Sequence, residues 1–214
     1  MTELLFIRHG ETDWNRQQRF QGQVEVPLNA TGLQQAERVA GRLGADPHDV
    51  LYTSDLGRAR QTAAPTAAAW RMTAAPLKGL REQHFGLLEG LDVPTIKARH
   101  PDVWAQWLEH RGDFAVPGGE SLLAFHRRVL DTVRDLAQQH AGQRVALFTH
   151  GGVLDMLWRT ANGLPIAGLR TCDIPNTGLN RLRWKDGTLV IEGWADASHL
   201  TGLPTQPPTN AGER

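Results

Sequence analysis

Two apolar runs of this chain end in the same way. Leu4-Leu5-Phe6-Ile7 stops at Arg8-His9-Gly10-Glu11, and Val145-Ala146-Leu147-Phe148 stops at Thr149-His150-Gly151-Gly152. A neutral imidazole can attack phosphorus and carry the phosphoryl group covalently. Guanidinium groups are rigid, permanently charged donors suited to phosphate oxygens. Arg8 adjoins the first histidine, and Arg58 and Arg60 follow a third short apolar run, Val50-Leu51-Tyr52. Phosphoryl transfer needs this combination: an in-line nucleophile and donors that hold the equatorial oxygens while charge redistributes. The nucleophile's second ring nitrogen should donate to a backbone carbonyl, which fixes the tautomer. Position alone decides nothing, because a histidine at a strand end is more often a hydrogen-bonded structural residue than a catalytic one.

Elements that could bring these residues together are readable around them. The two runs have the continuous apolar character of strands buried on both faces of a parallel sheet. Ligands of such sheets bind beyond the strands' carboxyl ends, so His9 and His150 could face one pocket. The helix after His150, expected over 153–161, can turn its N-terminus toward an anion. The polar stretch up to Asn29 reads as loop with some short helix. Thr31 can cap a helix through Leu43, with Leu33, Ala36, Val39, Ala40 and Leu43 on its apolar face. An alanine-rich helix through Arg58, Thr62 and Ala67 contains Pro65, which could kink it.

Residues 76–92 read as strand then loop, and 94–109 as helix in two pieces broken near Pro101. The longest helical pattern is 121–139, with Leu122, Phe125, Val129, Val133 and Leu136 at helical spacing. Gly178 to Trp184 and Leu189 to Trp194 flank Asp186-Gly187, a hairpin signal. Alternating helices and short strands predict an α/β fold, a three-layer α/β/α sandwich on a mostly parallel central sheet. We expect one domain over residues 1–200 and a flexible tail over 201–214.

Composition excludes several functions. The 23 Lys and Arg balance the 23 Asp and Glu, so no overall positive field exists to hold nucleic acid or an anionic membrane. Cys172 is the only cysteine, which rules out an internal disulfide and clusters built on several thiolates. No apolar stretch approaches a membrane span, and Leu4 to Ile7 is too short for a signal-peptide core, so a cytoplasmic protein is expected. There is no HExxH, paired-cysteine or calcium-loop spacing, and the glycines do not lead into a P-loop. No metal site is expected.

The motifs also form an ordered set. Leu5-Phe6-Ile7-Arg8-His9-Gly10-Glu11-Thr12 is followed by Trp14-Asn15, Pro27-Leu28-Asn29-Ala30-Thr31-Gly32 and Gln35-Ala36. Then come Ser54-Asp55-Leu56-Gly57-Arg58-Ala59 with Thr62-Ala63, Leu80-Arg81-Glu82 with Gly86 and Glu89-Gly90, Gly118-Gly119-Glu120-Ser121, and Thr149-His150-Gly151-Gly152. In this order they resemble the histidine phosphatase superfamily, in the branch holding cofactor-dependent phosphoglycerate mutase and its small phosphatase relatives. The likeness runs over roughly residues 4 to 200.

The resemblance implies a phosphoglycerate mutase-like fold and a set of roles. His9 matches the histidine that becomes phosphorylated. Arg8, Asn15, Arg58, His150 and Gly151 match the groups around the phosphoryl oxygens. Glu82 matches the acid that protonates the leaving oxygen; a neighbouring dianion favours its protonated form. Read from the residues alone, Glu82 could equally be a salt-bridge partner of Arg8 or Arg58. Arg60, two residues beyond Arg58, points away from it on a helix, which suits a solvated or substrate-tail role. Glu11 is either a support behind the site or a substrate acceptor. Trp104 and Trp107 either line a lid or pack in a core.

The family carries out both hydrolysis and phosphoryl-group isomerisation on one phosphohistidine. The stretch between Glu82 and Gly118 is short compared with the mutases, and Glu11-Thr12-Asp13 departs from their usual form. Both favour a phosphomonoesterase acting on a small phosphorylated metabolite without cofactor. The nearest branch holds α-ribazole phosphatases and broad-specificity phosphatases, and segment 92–116 is the expected lid. The alternative is a phosphoglycerate mutase, for which 2,3-bisphosphoglycerate would be the priming cofactor. A non-catalytic phosphate-binding module is the third reading, and the presence of both His9 and Glu82 speaks against it. Leu182 and Trp184 could pair across a homodimer interface or complete a monomer's own sheet.

Overall fold

The computed structural model describes residues 1–204; part of the expected tail, residues 205–214, lies outside them. The elements run β1 (Thr2–Arg8), α1 (Asp13–Arg16), α2 (Ala30–Leu43), β2 (Val50–Thr53), α3 (Gly57–Trp70), β3 (Ala75–Pro76), α4 (Val93–Arg99), α5 (Pro101–Leu108), α6 (Leu122–Gln139), β4 (Arg144–Thr149), α7 (Gly151–Ala161), β5 (Leu179–Lys185) and β6 (Thr188–Asp196). The sheet order is β3-β2-β4-β1-β5-β6. β3, β2, β4 and β1 are mutually parallel, while β5 and β6 are antiparallel and close one edge. The sheet is therefore mixed, with a parallel centre.

Strand alternation divides the core into two layers. Leu4, Phe6, Val145, Leu147 and Leu182 pack against α6 and α7 through Phe125, Val129, Val133, Val153 and Leu157. Leu5, Ile7, Ala146 and Phe148 point the other way, onto Val39 and Leu43 of α2 and Ala63 and Trp70 of α3. Burial on both faces is why β1 and β4 are apolar without interruption. A third cluster, built on Phe20, Leu88, Ile96, Trp104 and Val116, lies apart from the sheet and underpins α4 and α5.

Helix ends follow local chemistry, with one reassignment. α2 is capped by Asn29, whose side chain accepts from Gly32 N at 2.8 Å, and not by Thr31. Asn29 lies just beyond the bridge between Leu28 and Thr12, which fixes its direction. Leu33, in the first turn, is 51% exposed and does not join the apolar face. α3 runs on through Pro65, which only removes one helical donor. α7 begins two residues earlier than expected, at Gly151, with His150 as its cap residue. The hairpin turn is Asp186-Gly187 at φ 49° and 81°, the left-handed pair of a type I′ turn. Leu182 is buried in the chain's own core and Trp184 packs against it. Among the described residues no helix is long and apolar enough to cross a membrane.

Candidate active site

β1 and β4 are neighbours in parallel register, with Arg8 opposite Thr149. The next residue on each strand is therefore a histidine at the same level of the sheet. The rings of His9 and His150 lie 5.2 Å apart, centroid to centroid, tilted by 57°. Both are buried, at 3% and 0% exposed. The His9 backbone is clamped, its N–H on Thr149 O at 2.8 Å and its carbonyl accepting from Asn176 Nδ2 at 2.7 Å. Gly10 allows this placement. A Cβ there would sit 2.6 Å from the Gly32 carbonyl, so the first turn of α2 can press against the end of β1 only because both positions are glycine.

Side-chain hydrogen bonds define the state of each imidazole. His9 Nδ1 is 2.7 Å from its neighbour's carbonyl, Gly10 O, so Nδ1 carries the proton and Nε2 carries the lone pair. Burial, then the charges of Arg58 and Arg8, hold its pKa well below the usual histidine value, so the ring is neutral at pH 7. His150 is depressed in the same way by burial, Arg58, His9 and Arg8. Its Nε2 pairs with Ser54 Oγ at 2.8 Å. Ser54 Oγ also accepts from Leu56 N at 3.4 Å, which favours its own proton pointing at Nε2. His150 then keeps its proton on Nδ1, a buried atom with no partner among the described residues.

Arg58, in the first turn of α3, is fully buried. It donates to Val24 O at 3.0 Å and Gly22 O at 2.7 Å, and its Nε has no partner among the described residues. Burial lowers its pKa to about 10, which still leaves it charged at neutral pH. Arg8 is held by Ile174 O at 2.5 Å. Gly151 brings the first turn of α7 beside it, since a Cβ there would lie 3.4 Å from Arg8 Nε. Asn15 lines the same pocket. Its Oδ1 caps the Thr12 backbone at 3.1 Å, leaving the amide NH2 as the group it can present.

Glu82 lines the same pocket. Its Oε2 accepts from Gly152 N and its Oε1 from Gln83 N, both at 2.9 Å. It therefore rests on the N-terminus of α7 and not on Arg8 or Arg58, with neither of which it makes an ion pair among the described residues. A Cβ at Gly152 would displace the carboxylate from this position. Arg128 fixes the backbone beneath by donating to Gly79 O and Arg81 O at 3.0 Å and to Glu82 O at 3.2 Å.

The pocket thus gathers Arg8, His9, Asn15, Arg58, Glu82 and Gly151, with His150 in the wall behind. Arg60 is not in it. That side chain is exposed and lines a separate shallow groove with Glu25, Pro27 and Gln61. Glu11 is buried behind the site, accepting from Asn29 Nδ2 at 2.9 Å. Trp104 packs in the third core cluster, while Trp107 reaches the pocket. Sequence reading missed Ser54, Asp155 and Arg170 as site residues. Ser54 stood inside a recognised block, whereas the loop bearing Arg170 offers no periodicity or motif.

A buried pair of neutral imidazoles flanked by two arginines, at the carboxyl edge of a covered sheet, suits an enzyme that handles phosphoryl groups. Comparison with known proteins makes the class specific. Residues 4–197 match the histidine phosphatase superfamily (branch 1), and the chain belongs to that family. It is 36% identical over 208 residues to a metal-independent phosphoserine phosphatase of Arabidopsis thaliana, covering 95% of this chain and 85% of the relative. It is 32% identical to the "Probable phosphoglycerate mutase GpmB" of Proteus mirabilis, covering 95% and 97%. A phosphoserine phosphatase variant from Entamoeba histolytica, solved with phosphoserine, superposes with a TM-score of 0.83 at 25% identity, covering 94% of this chain and all of that one. The family is the one that the order of the motifs implied.

Proposed function

We propose that this site hydrolyses a small phosphomonoester through a phosphohistidine on His9. The carrying observation is the Nδ1 bond to Gly10 O, which leaves the Nε2 lone pair as the one nucleophilic atom of a buried, neutral ring. Arg8, the free Nε of Arg58, His150 Nδ1–H and the Asn15 amide hold the phosphoryl oxygens. His9 Nε2 attacks phosphorus in line, and the bond to the ester oxygen breaks. Glu82 donates its proton to that oxygen, and the alcohol leaves. The resulting carboxylate takes a proton from water as the water attacks phospho-His9. The N–P bond breaks, inorganic phosphate departs, and both residues regain their starting states. The charge is supplied by guanidinium groups, so no metal is required.

The likeness to the Proteus mirabilis protein supports a second reading, in which the phosphoryl group returns to a different oxygen of the same acid. One experiment separates the two. The protein is incubated with chelator and a panel of 3-phosphoglycerate, phosphoserine, α-ribazole phosphate and an aryl phosphate, and isomerisation is followed after priming with 2,3-bisphosphoglycerate. We expect phosphate release with little isomerisation, and an acid-labile phosphoryl group on the protein that is absent from His9→Ala. Isomerisation without release would make it a mutase. Full turnover by a folded His9→Ala protein would end the covalent mechanism.

A further inference from the structure

Beyond the phosphoryl donors, the pocket wall contains an arginine, Arg170, that shares its one aspartate with a second arginine. α7 is followed by a glycine-bearing loop that returns over the pocket and ends at Arg170. The loop is pinned by Arg159, 3% exposed, which donates to Pro165 O at 2.8 Å, Ala167 O at 3.2 Å, Gly168 O at 2.9 Å and Leu169 O at 2.6 Å. Its Nε takes Asp155 Oδ2 at 3.0 Å. Asp155 faces Arg170 with its other oxygen, but Oδ1 to Nε is 3.8 Å, too long for a hydrogen bond. Arg170 Nε and Asp155 Oδ1 are both buried with no hydrogen-bond partner among the described residues.

Two arginines thus share one aspartate, and the surplus positive charge lies on Arg170, which lines the active pocket. Gly151 marks its position relative to the phosphoryl site. A Cβ there would be 3.4 Å from Arg8 Nε and 3.9 Å from an Arg170 terminal nitrogen. The two guanidinium groups therefore flank one point of α7. The other arginines of the wall differ from it: one is paired with a carboxylate, and one is exposed and donates only to a carbonyl. Arg111 forks onto Asp113 at 3.0 and 3.3 Å, and Arg19 reaches Gly90 O at 3.3 Å.

We infer that Arg170 receives a second anionic group of the substrate, a carboxylate carried on the leaving alcohol a few bonds from the ester oxygen. Asp155 is a positioning residue for it, and Arg159 is the pin that holds the loop. This inference rests on the hydrolytic reading above. A half-buried guanidinium that finds no anion is costly, so the arrangement selects against esters with neutral tails as well as for acids.

The test compares wild type, Arg170→Gln and Arg170→Lys on 3-phosphoglycerate and phosphoserine against glycerol 3-phosphate and phenyl phosphate. The expected result is that kcat/KM for the acids, relative to the neutral-tailed esters, falls on the order of tenfold to a hundredfold in Arg170→Gln, mainly through KM. Arg170→Lys keeps the charge but loses the fork and should recover part of the ratio. Equal loss on all four esters would make Arg170 a phosphate ligand and overturn the inference, as would no loss. Calorimetric binding of 3-phosphoglycerate and glycerol 3-phosphate to His9→Ala, with and without Arg170→Gln, gives the same ratio without turnover. If wild type hydrolyses nothing, the phosphatase reading fails while the binding ratio still decides Arg170.

Discussion

The floor and the roof of the pocket are built on different principles. On the floor, Arg8, His9, His150 and Arg58 stand at strand ends or in a helix's first turn, nearly sealed from water. Their hydrogen bonds include those to the backbone carbonyls of Gly10, Gly22, Val24 and Ile174 and to Ser54 Oγ, in the loops that close over the strand ends. The roof is α4, α5 and the segment up to Val116. Its anchor is a trio of rings in edge contact, Phe20 with Phe85 at 5.2 Å, Phe20 with Trp107 at 5.9 Å and Phe85 with Trp107 at 5.7 Å. Several of its polar groups stay exposed, as with Arg111 and Asp113 at 57% and 68%. Fixed hydrogen bonds suit a reaction that needs a nucleophile and donors in one geometry. Ring packing without directional bonds suits a wall that must differ from one substrate to another. Phe20, Phe85 and Leu88, which lie outside segment 92–116, pack in the same cluster as its Ile96, Trp104 and Val116.

The largest effect separating the two regions should come from Glu82, which rests on the N-terminus of α7 and is the acid of the proposed mechanism. Glu82→Gln keeps the size of the side chain and removes the transferable proton. It also sets an amide NH2 against one of two backbone N–H groups, those of Gly152 and Gln83. Hydrolysis of alkyl phosphates should slow by about a hundredfold to ten-thousandfold, and that of activated aryl phosphates far less, because those leave without protonation. A plot of log rate against leaving-group pKa should therefore steepen. A uniform fall would assign Glu82 a purely structural role and put the acid elsewhere.

A smaller effect should appear in folding. His9 and His150 are buried neutral and have pKa values well below the usual 6.5. Below about pH 6.5 the unfolded chain binds protons there that the folded chain does not. Stability contributed by the neutral pair is complete above that pH and is lost as pH falls toward the folded-state values. Each histidine contributes a slope of up to about 1.4 kcal/mol per pH unit. Urea unfolding from pH 7 down to pH 5 should show the decline, and His9→Ala should make it shallower. His48, His126 and His199 are also depressed by burial, so the difference between variants, not the total slope, isolates the floor. An identical slope in His9→Ala would mean that the floor is not held neutral.

How far the sequence could be read follows the same division. The floor was legible because it is made of periodic elements: continuous apolar strands, each ending in histidine and glycine, whose parallel pairing brings the two rings together. The Asp186-Gly187 hairpin and the α6 periodicity were legible for the same reason, being local chemistry with a fixed geometric consequence. The cap of α2 was not, because Asn29 and Thr31 are both competent caps and only the Thr12–Leu28 bridge chooses between them. Trp104 and Trp107 share a helix, yet one joins a core and the other a pocket, a choice made by Phe20 and Phe85 from distant sequence. Arg170 was invisible because its placement depends on Arg159 gathering four carbonyls, a tertiary arrangement with no signature in residue spacing.

The smallest predicted effect sharpens the contrast within one helix. Arg58 and Arg60 have identical side chains two residues apart on α3, which places them on nearly opposite faces. Arg58 is fully buried on the floor, whereas Arg60 is exposed beside Glu25, Pro27 and Gln61. Arg60→Ala should change kcat/KM by less than about twofold for every ester and stability by no more than about 0.5 kcal/mol, the range of ordinary surface substitutions. The measurement is steady-state kinetics on the four-ester panel, with thermal unfolding alongside. A tenfold loss confined to the longer substrates would show that their tails cross the rim into this groove. The recognition surface would then extend over α3 as well as over the roof and the Arg170 loop.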